Sequence, residues 1–152
     1  MNGLVIDASI ALGWCFEDEA DALGDAALRR VVAGGADVPG IFPLEVANVL
    51  AAAERRGRIR PAESARFLAL LDALPLRVDA QTPTRATREV LLLARAHALS
   101  VYDAAYLELA TRTGAALATR DARLGEVARS LGLAWTPTER PRELASRSDQ
   151  PR

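Results

Sequence analysis

The sequence predicts a three-layer α/β sandwich, in which helices cover both faces of a central, mostly parallel sheet. Short runs typical of buried strands alternate along the chain with longer segments whose apolar residues recur at helical spacing. The first run, Leu4–Ile6, is continuously apolar, as expected for a strand covered on both sides. The 152 residues are enough for one domain with a sizeable core and too few for two comfortable ones.

In the first half of the chain, each predicted strand is separated from the next by helices. The run Leu4–Ile6 predicts a strand that ends at Asp7, and Pro43 and Gly57 lie near the two ends of a strongly amphipathic helix. The expected elements are a strand at 4–6, a short helix at 8–14, a helix whose first turn holds the acidic run 17–21 and which Gly34 and Gly35 end, a strand at 36–39, helices at about 43–56 and 61–74, and a strand at 76–78.

In the second half, glycines mark the ends of helices. Gly114 ends one helix and Gly132 breaks another. The expected elements are helices at about 84–98 and 102–113, a strand at 115–119, a helix at 124–131 and an edge strand at 133–135. From residue 137 onward the chain is polar and rich in proline, with little to bury. We therefore expect one domain at 1–136 and a flexible tail at 137–152.

Composition excludes several classes of function. The net charge of -1 argues against a uniformly basic nucleic-acid binder, although a local basic patch is compatible with it. No apolar run approaches the roughly 18 residues that a membrane span needs, and no signal peptide opens the chain, so we expect a soluble cytoplasmic protein with no membrane partner. Cys15 and His97 are the single cysteine and histidine, which excludes an internal disulfide and a site of two imidazoles.

Four acidic residues fall where the predicted elements reach the carboxyl edge of the sheet. Asp7 follows the first strand and Asp121 follows the strand at 115–119, while Glu45 and Asp103 open helices that begin at that edge. Clustered carboxylates repel one another unless a cation lies between them, and hard ions such as Mg2+ or Mn2+ suit oxygen ligands. Each acid alone is also explained as a helix cap, but the four together favour a metal site.

Other residues near these acids are candidates for supporting roles. Ser9 and Thr119 offer hydroxyls close to Asp7 and Asp121, and Asn48 lies one helical turn after Glu45. Asn48 could orient a ligand or contact a nucleotide, and Thr119 could hydrogen-bond a carboxylate or a bound water; both are equally explained as structural residues. Arg120, next to Asp121, is a candidate contact for substrate because of its position.

Four segments that contain these acids resemble the PIN domain family, and more narrowly the VapC-type toxin ribonucleases. They are VIDAS at 5–9, LEVANVL at 44–50, LSVYDAAYLELA at 99–110 and LATRD at 117–121. Each segment is a weak motif alone, but the four occur in the order and at the domain-scale spacing of the family. The resemblance runs from about residue 3 to residue 135, which leaves out only the tail.

The resemblance implies a PIN-like fold and a Mg2+- or Mn2+-dependent endoribonuclease. It gives Asp7, Glu45, Asp103 and Asp121 the places of the family's catalytic, metal-binding acids. It also implies that the protein is the toxin of a type II toxin-antitoxin pair, that it forms a homodimer, and that a small VapB-like antitoxin inhibits it. The RNA substrates of the family include transfer and ribosomal RNA, and the resemblance does not choose between them.

Two other functions are compatible with parts of this pattern. One is a non-catalytic PIN-fold module that only binds RNA or protein, but none of the four acids is missing. The other is a phosphotransfer domain in which Asp7 is phosphorylated. That chemistry is expected to use a lysine near the phosphoryl group, and all 19 basic residues of the chain are arginine.

The acidic set predicts a stabilising effect of divalent ions. Close carboxylates destabilise the metal-free fold, and a cation that binds only the folded state restores stability. We expect Mg2+ to raise the melting temperature of the wild type but not that of Asp7→Asn. Equal shifts in the two proteins, measured by thermal denaturation, would count against a metal held by these acids.

Overall fold

The computed structural model describes residues 3–138, which form a four-stranded parallel sheet with helices on both faces. The strands are β1 Leu4–Ile6, β2 Ala36–Val38, β3 Leu76–Val78 and β4 Ala116–Ala118, in the spatial order β3-β2-β1-β4. The helices are α1 Ala8–Leu12, α2 Ala22–Gly34, α3 Phe42–Arg55, α4 Pro61–Ala73, α5 Thr82–Arg85, α6 Leu91–His97, α7 Val101–Thr113 and α8 Ala122–Ser130. The predicted three-layer α/β/α architecture is confirmed.

The central strand β1 determines how the carboxyl edge of the sheet is arranged. All three of its residues are buried, because β2 and β4 flank it and helices cover it. Ile6 is paired with Ala118 of β4, and the backbone N–H of Asp7 donates to the Ala118 carbonyl at 3.2 Å. The residues that follow β1 and β4 therefore leave the sheet side by side.

Helix α7 is the most buried helix in the part of the chain described here. Seven consecutive residues, 104–110, are buried, which requires a helix that is apolar on nearly all sides. Gly114 ends it with φ of 66°, a conformation that glycine adopts without strain, and the chain then enters β4. Between residues 3 and 138, no single helix is long and apolar enough to span a membrane; only the bent pair Thr82–His97 and Val101–Thr113 reaches that length and composition together.

The one acidic residue within the buried stretch of α7 is neutralised by arginines. Glu108 is paired with Arg112, one turn later, at 2.8 Å and with Arg85 at 3.2 Å. Arg112 also pairs with Asp79, after β3, at 2.7 Å, and Asp79 accepts a hydrogen bond from the Thr82 hydroxyl. This ionic network joins α7 to the segment between β3 and α5.

The structure differs from the sequence predictions at several element boundaries. The acidic residues Glu17–Glu19 form a separate 3-10 turn rather than the first turn of α2, which Asp21 caps. The helix predicted at 84–98 consists of α5, a π-helical turn at Ala86–Val90, and α6. The predicted last strand at 133–135 is reduced to one bridge between Ala134 and Leu117. Of the tail predicted at 137–152, residues 139–152 lie outside the described part of the chain.

The buried ionic network predicts an asymmetry between two arginines. The Arg112 side chain is 18% exposed, so Arg112→Ala leaves Glu108 and Asp79 as charges in poorly hydrated surroundings and should lower the free energy of unfolding by about 3 kcal/mol. Arg77 pairs with Asp37 at the surface and is 61% exposed, so Arg77→Ala should cost less than about 1 kcal/mol. Urea denaturation measures both, and equal losses would contradict the assigned role of the network.

Candidate active site at the carboxyl edge of the sheet

Asp7 lies at the end of β1 and is the N-cap residue of α1. It is only 5% exposed. Its Oδ1 accepts hydrogen bonds from the Ser9 hydroxyl at 2.5 Å and from the backbone N–H of Ile10 at 3.2 Å, and its Oδ2 accepts one from the Thr119 hydroxyl. These donors partly replace the water that the carboxylate lost on burial.

The hydroxyls of Ser9 and Thr119 also connect Asp7 to the loop between β4 and α8. Ser9 Oγ accepts a hydrogen bond from the backbone N–H of Arg120 at 3.0 Å. Thr119 Oγ1 accepts one from the backbone N–H of Asp121, also at 3.0 Å. Each hydroxyl therefore donates to Asp7 and accepts from this loop, which brings Asp7 and Asp121 to the same edge.

Glu45 lies in the first turn of α3, a helix with proline near its start. Its Oε1 is buried and has no hydrogen-bond partner. Tyr106 of α7, which is 1% exposed, points its hydroxyl toward Glu45, but the two do not complete a hydrogen bond of normal geometry. A buried polar group without a partner costs about 1–3 kcal/mol, so this pair of atoms requires an explanation.

Asp103 and Asp121 lie at the beginnings of two helices. Asp103 is in the first turn of α7, and its backbone N–H donates to the hydroxyl of the N-cap residue Ser100 at 3.0 Å. Asp121 is the N-cap residue of α8 and accepts a hydrogen bond from the backbone N–H of Leu124 at 2.7 Å. Asp103 is partly buried, whereas Asp121 is exposed to solvent.

Burial and mutual repulsion raise the pKa of three of these carboxyl groups, those of Asp7, Glu45 and Asp103. Burial raises the pKa of Asp7, and the charge of Asp103 adds to this, while the hydrogen bonds to Asp7 oppose it. Burial likewise raises the pKa of Glu45, with further contributions from the charges of Asp7 and Asp103. Burial also raises the pKa of Asp103, which is close enough to Asp121 to be affected by its charge. The four acids form one electrostatically coupled set.

The acidic set has the chemistry of a site for a hard cation, although its side chains are spread apart. In residues 3–138, no three His, Cys, Asp or Glu side chains are close enough together to ligate one ion as they stand. Carboxylates that repel one another are expected to stay apart until a cation binds. The donors are all carboxylate oxygens, which Mg2+ and Mn2+ prefer, and Oε1 of Glu45 is a buried oxygen that no donor satisfies.

Arg120 is held by residues around α1 and α2. Its guanidinium forms an ion pair with Asp21. It also lies against Gly13 and Gly24, so closely that a Cβ atom built on either glycine would be 2.5 Å from its Nη2. A contact between Arg120 and a substrate stays a prediction. The substrate would have to compete with Asp21 for the guanidinium or share it.

Asn48 is exposed one turn after Glu45, and its place in the site stays a prediction. Tyr106 was missed in the sequence analysis, although a signal for it was available. It lies three residues after Asp103 in α7, a spacing that places two side chains on the same face of a helix. Tyr106 was assigned no role from the sequence.

Comparisons with known proteins support the same fold and family. The PIN domain family model matches residues 4–130, a span that contains all four acids. Ribonuclease VapC3 from Pyrobaculum aerophilum is 30% identical over 123 residues, which are 81% of this chain and 92% of that protein. The crystal structure of PAE2754 from Pyrobaculum aerophilum matches with a TM-score of 0.63 and 24% identity, over 82% of this chain and 83% of that one. The resemblance to PIN domains is therefore confirmed.

The raised pKa values predict how the metal-free protein responds to pH. Near neutral pH the folded state carries the cost of the repelling carboxylates. As pH falls toward the ordinary carboxyl range, the folded state takes up protons before the unfolded chain does, so this cost is relieved. We expect Asp103→Asn, which removes one charge, to raise the melting temperature of the chelator-treated protein at about pH 7.5, with a smaller gain at about pH 5.5.

The matched control is Asp72→Asn on the exposed side of α4, which makes the same chemical change away from the acidic set. It should leave the melting temperature nearly unchanged at both pH values, as surface substitutions usually do. A lower melting temperature for Asp103→Asn than for the wild type near neutral pH would show that repulsion within the set is not the dominant effect.

Proposed function

Because this chain belongs to the PIN domain family, we propose that it is a Mg2+- or Mn2+-dependent endoribonuclease that hydrolyses RNA phosphodiester bonds. The 30% identity to a protein named Ribonuclease VapC3 supports RNA as the substrate class. We further propose that Asp7, Glu45, Asp103 and Asp121 are its catalytic and metal-binding residues. All four lie within the family match and at one edge of the sheet.

One observation carries the proposal: the buried acids of this protein fall into two kinds. Glu108 and Asp79 are neutralised by Arg85 and Arg112. In the described residues, no arginine forms an ion pair with Asp7, Glu45, Asp103 or Asp121. The chain neutralises Glu108 and Asp79 but leaves the buried Asp7 and the partly buried Glu45 and Asp103 unpaired, next to the exposed Asp121. Such a set is suited to a cation that the chain itself does not provide.

The divalent ion, when bound, would lower the pKa of a water nucleophile and neutralise charge that develops on the phosphoryl oxygens. Asp7, which its three donors hold in one orientation, and Glu45, with its free Oε1, would be its most buried ligands. Asp103 and Asp121 would complete the set from the starts of α7 and α8. Ser9 and Thr119 would keep Asp7 oriented, and Asn48 would contact a ligand or substrate on the same face as Glu45.

The RNA is proposed to bind only a part of the protein surface, because the chain as a whole is nearly neutral in charge. Arg120 is the proposed contact for a phosphate next to the acids, since its backbone already hydrogen-bonds Ser9. Its guanidinium would then leave the Asp21 carboxylate for the phosphate, or bind both at once. Transfer or ribosomal RNA would each meet these requirements.

The relationship to VapC3 also supports partners for this chain. We propose that it is a cytoplasmic toxin, that it forms a homodimer and that a small VapB-like antitoxin inhibits it. A groove of about 810 Å3 between residues 14–18 and helix α4 would accept an amphipathic helix of such an antitoxin, because apolar residues and charged residues of both signs line it. Phe67 and Ile59 contribute apolar surface to that groove.

The proposal is tested by incubating the purified protein with total RNA and MgCl2. We expect cleavage that chelation with EDTA abolishes and that Asp103→Asn lowers at least about 100-fold, as when a group that stabilises developing charge is removed. Asp72→Asn, an exposed Asp on α4, should cleave like the wild type. The melting temperature of Asp103→Asn, measured on the same sample, shows whether the variant is folded when its activity is lost.

Intact RNA with every variant, in Mg2+ and in Mn2+, would contradict the enzymatic proposal and favour the non-catalytic binding module. Cleavage that persists in EDTA and in Asp103→Asn would indicate a contaminating ribonuclease, and the proposal would then lack support. Loss of activity in both the Asp103 and the Asp72 variants would contradict the special place given to the acidic set.

A further inference from the structure

Tyr106 is a buried side chain that the proposed chemistry does not use. Tyr106 is 1% exposed and is the largest of the fully buried side chains in the described residues. Its hydroxyl has no hydrogen-bond partner. The hydroxyl of a buried tyrosine normally has a hydrogen-bond partner. In a purely apolar site, phenylalanine would fill the same space equally well. A buried tyrosine hydroxyl without a partner, beside a carboxylate that also lacks one, therefore requires a physical explanation.

The hydroxyl of Tyr106 lies among the acids. Its neighbours are the carboxylates of Glu45 and Asp7 and the backbone of Ala8. Oε1 of Glu45 is also buried and unpartnered, so a donor and an acceptor that both lack partners face the same small region. The hydroxyls of Ser9 and Thr119 cannot serve Glu45, because both donate to Asp7.

We propose that Tyr106 is a positioning residue that donates a hydrogen bond to the Glu45 carboxylate and thereby orients it toward the other acids. The inference rests on the proposed function, because it assumes that these acids bind a divalent ion. The hydrogen bond occupies one lone pair of Glu45 and limits the rotation of its carboxylate about the side chain. The remaining lone pairs are then directed at the site before a cation arrives, which reduces the conformational entropy that binding must remove.

A neutral donor suits this position better than a charged one. A lysine or arginine at the same place would neutralise Glu45, as Arg112 neutralises Glu108 elsewhere on the same helix. It would then compete with the cation for Glu45. A phenol supplies a hydrogen bond without a charge. Because Asp103 lies one turn earlier on α7, this helix would supply both a ligand and the group that orients a second ligand.

The test compares Tyr106→Phe with Tyr102→Phe. Both remove one phenolic hydroxyl from α7, but Tyr102 is 62% exposed, so the second variant is a matched control. For each protein, the melting temperature is measured without metal and during titration with MgCl2, and RNA cleavage is measured over the same Mg2+ range. The titration reports binding independently of activity.

We expect metal-free Tyr106→Phe to melt within a few degrees of the wild type, because the phenyl ring fills the same space and only one hydrogen bond to Glu45 is lost. The Mg2+ concentration for half of the full thermal stabilisation should rise about 10-fold or more, as for the loss of a group that orients a metal ligand. Cleavage should require correspondingly more Mg2+ and recover substantially at saturation. Tyr102→Phe should match the wild type in the titration.

The inference is overturned if Tyr106→Phe has the same Mg2+ dependence as the wild type, whatever its stability without metal. A destabilised variant with unchanged Mg2+ dependence would assign Tyr106 a packing role alone. A wild type that is stabilised by Mg2+ but cleaves no RNA would contradict the proposed function, while the comparison of the two tyrosine variants would still decide the role of Tyr106.

Discussion

The carboxyl group of Asp7 is buried at the end of the central strand, and the hydrogen bonds that satisfy it there also join separate parts of the fold. Three donors are hydrogen-bonded to it, and two of them, Ser9 and Thr119, also accept hydrogen bonds from the loop after β4. The atoms that join β1 to the β4 loop are therefore the same atoms that orient the acid. Fold and site cannot be altered independently at this edge of the sheet.

Helix α7 carries acidic residues in two different surroundings, and arginines neutralise them in only one of the two. On one side, Glu108 lies between Arg85 and Arg112, and burial is compensated by ion pairs. On the other, Asp103 and the acids around it have no such partner within residues 3–138, and their charges repel. Buried charge is expensive in either case. The charge of the paired set is compensated within the chain, and the unpaired set carries the cost expected of the proposed metal site.

The fold was largely predictable because the strands and helices have strong local patterns. The apolar run at β1 and the glycine after α7 placed the strands that end near Asp7 and Asp121, and the rule for parallel sheets placed both at one edge. The acidic turn Glu17–Glu19 was assigned to α2 because charge near a helix start is favourable, but the extended residue Ala20 separates the two elements.

What sequence could not supply were contacts between distant segments. The pairing of Arg120 with Asp21 spans 99 positions, and the position of Arg120 next to Asp121 suggested a different partner. The burial of the Tyr106 hydroxyl beside Glu45 depends on how α7 packs against β1 and where α3 lies, which periodicity does not define. For the acids themselves, sequence indicated a shared edge, and the structure added which of them are coupled and which oxygen is unsatisfied.

The pairing of β1 with β4 also constrains when the proposed active site can form during synthesis of the chain. The first strand emerges from the ribosome early, but its neighbour β4 and the Thr119 hydroxyl are more than a hundred residues later in the chain. At roughly 5–20 residues per second, several seconds separate the two. During that interval Asp7 lacks its partners in the β4 loop. A nascent chain that stops before residue 121 also lacks Asp121, so its acidic set is incomplete. The order of the strands thus delays assembly of the site until nearly the whole domain has been made.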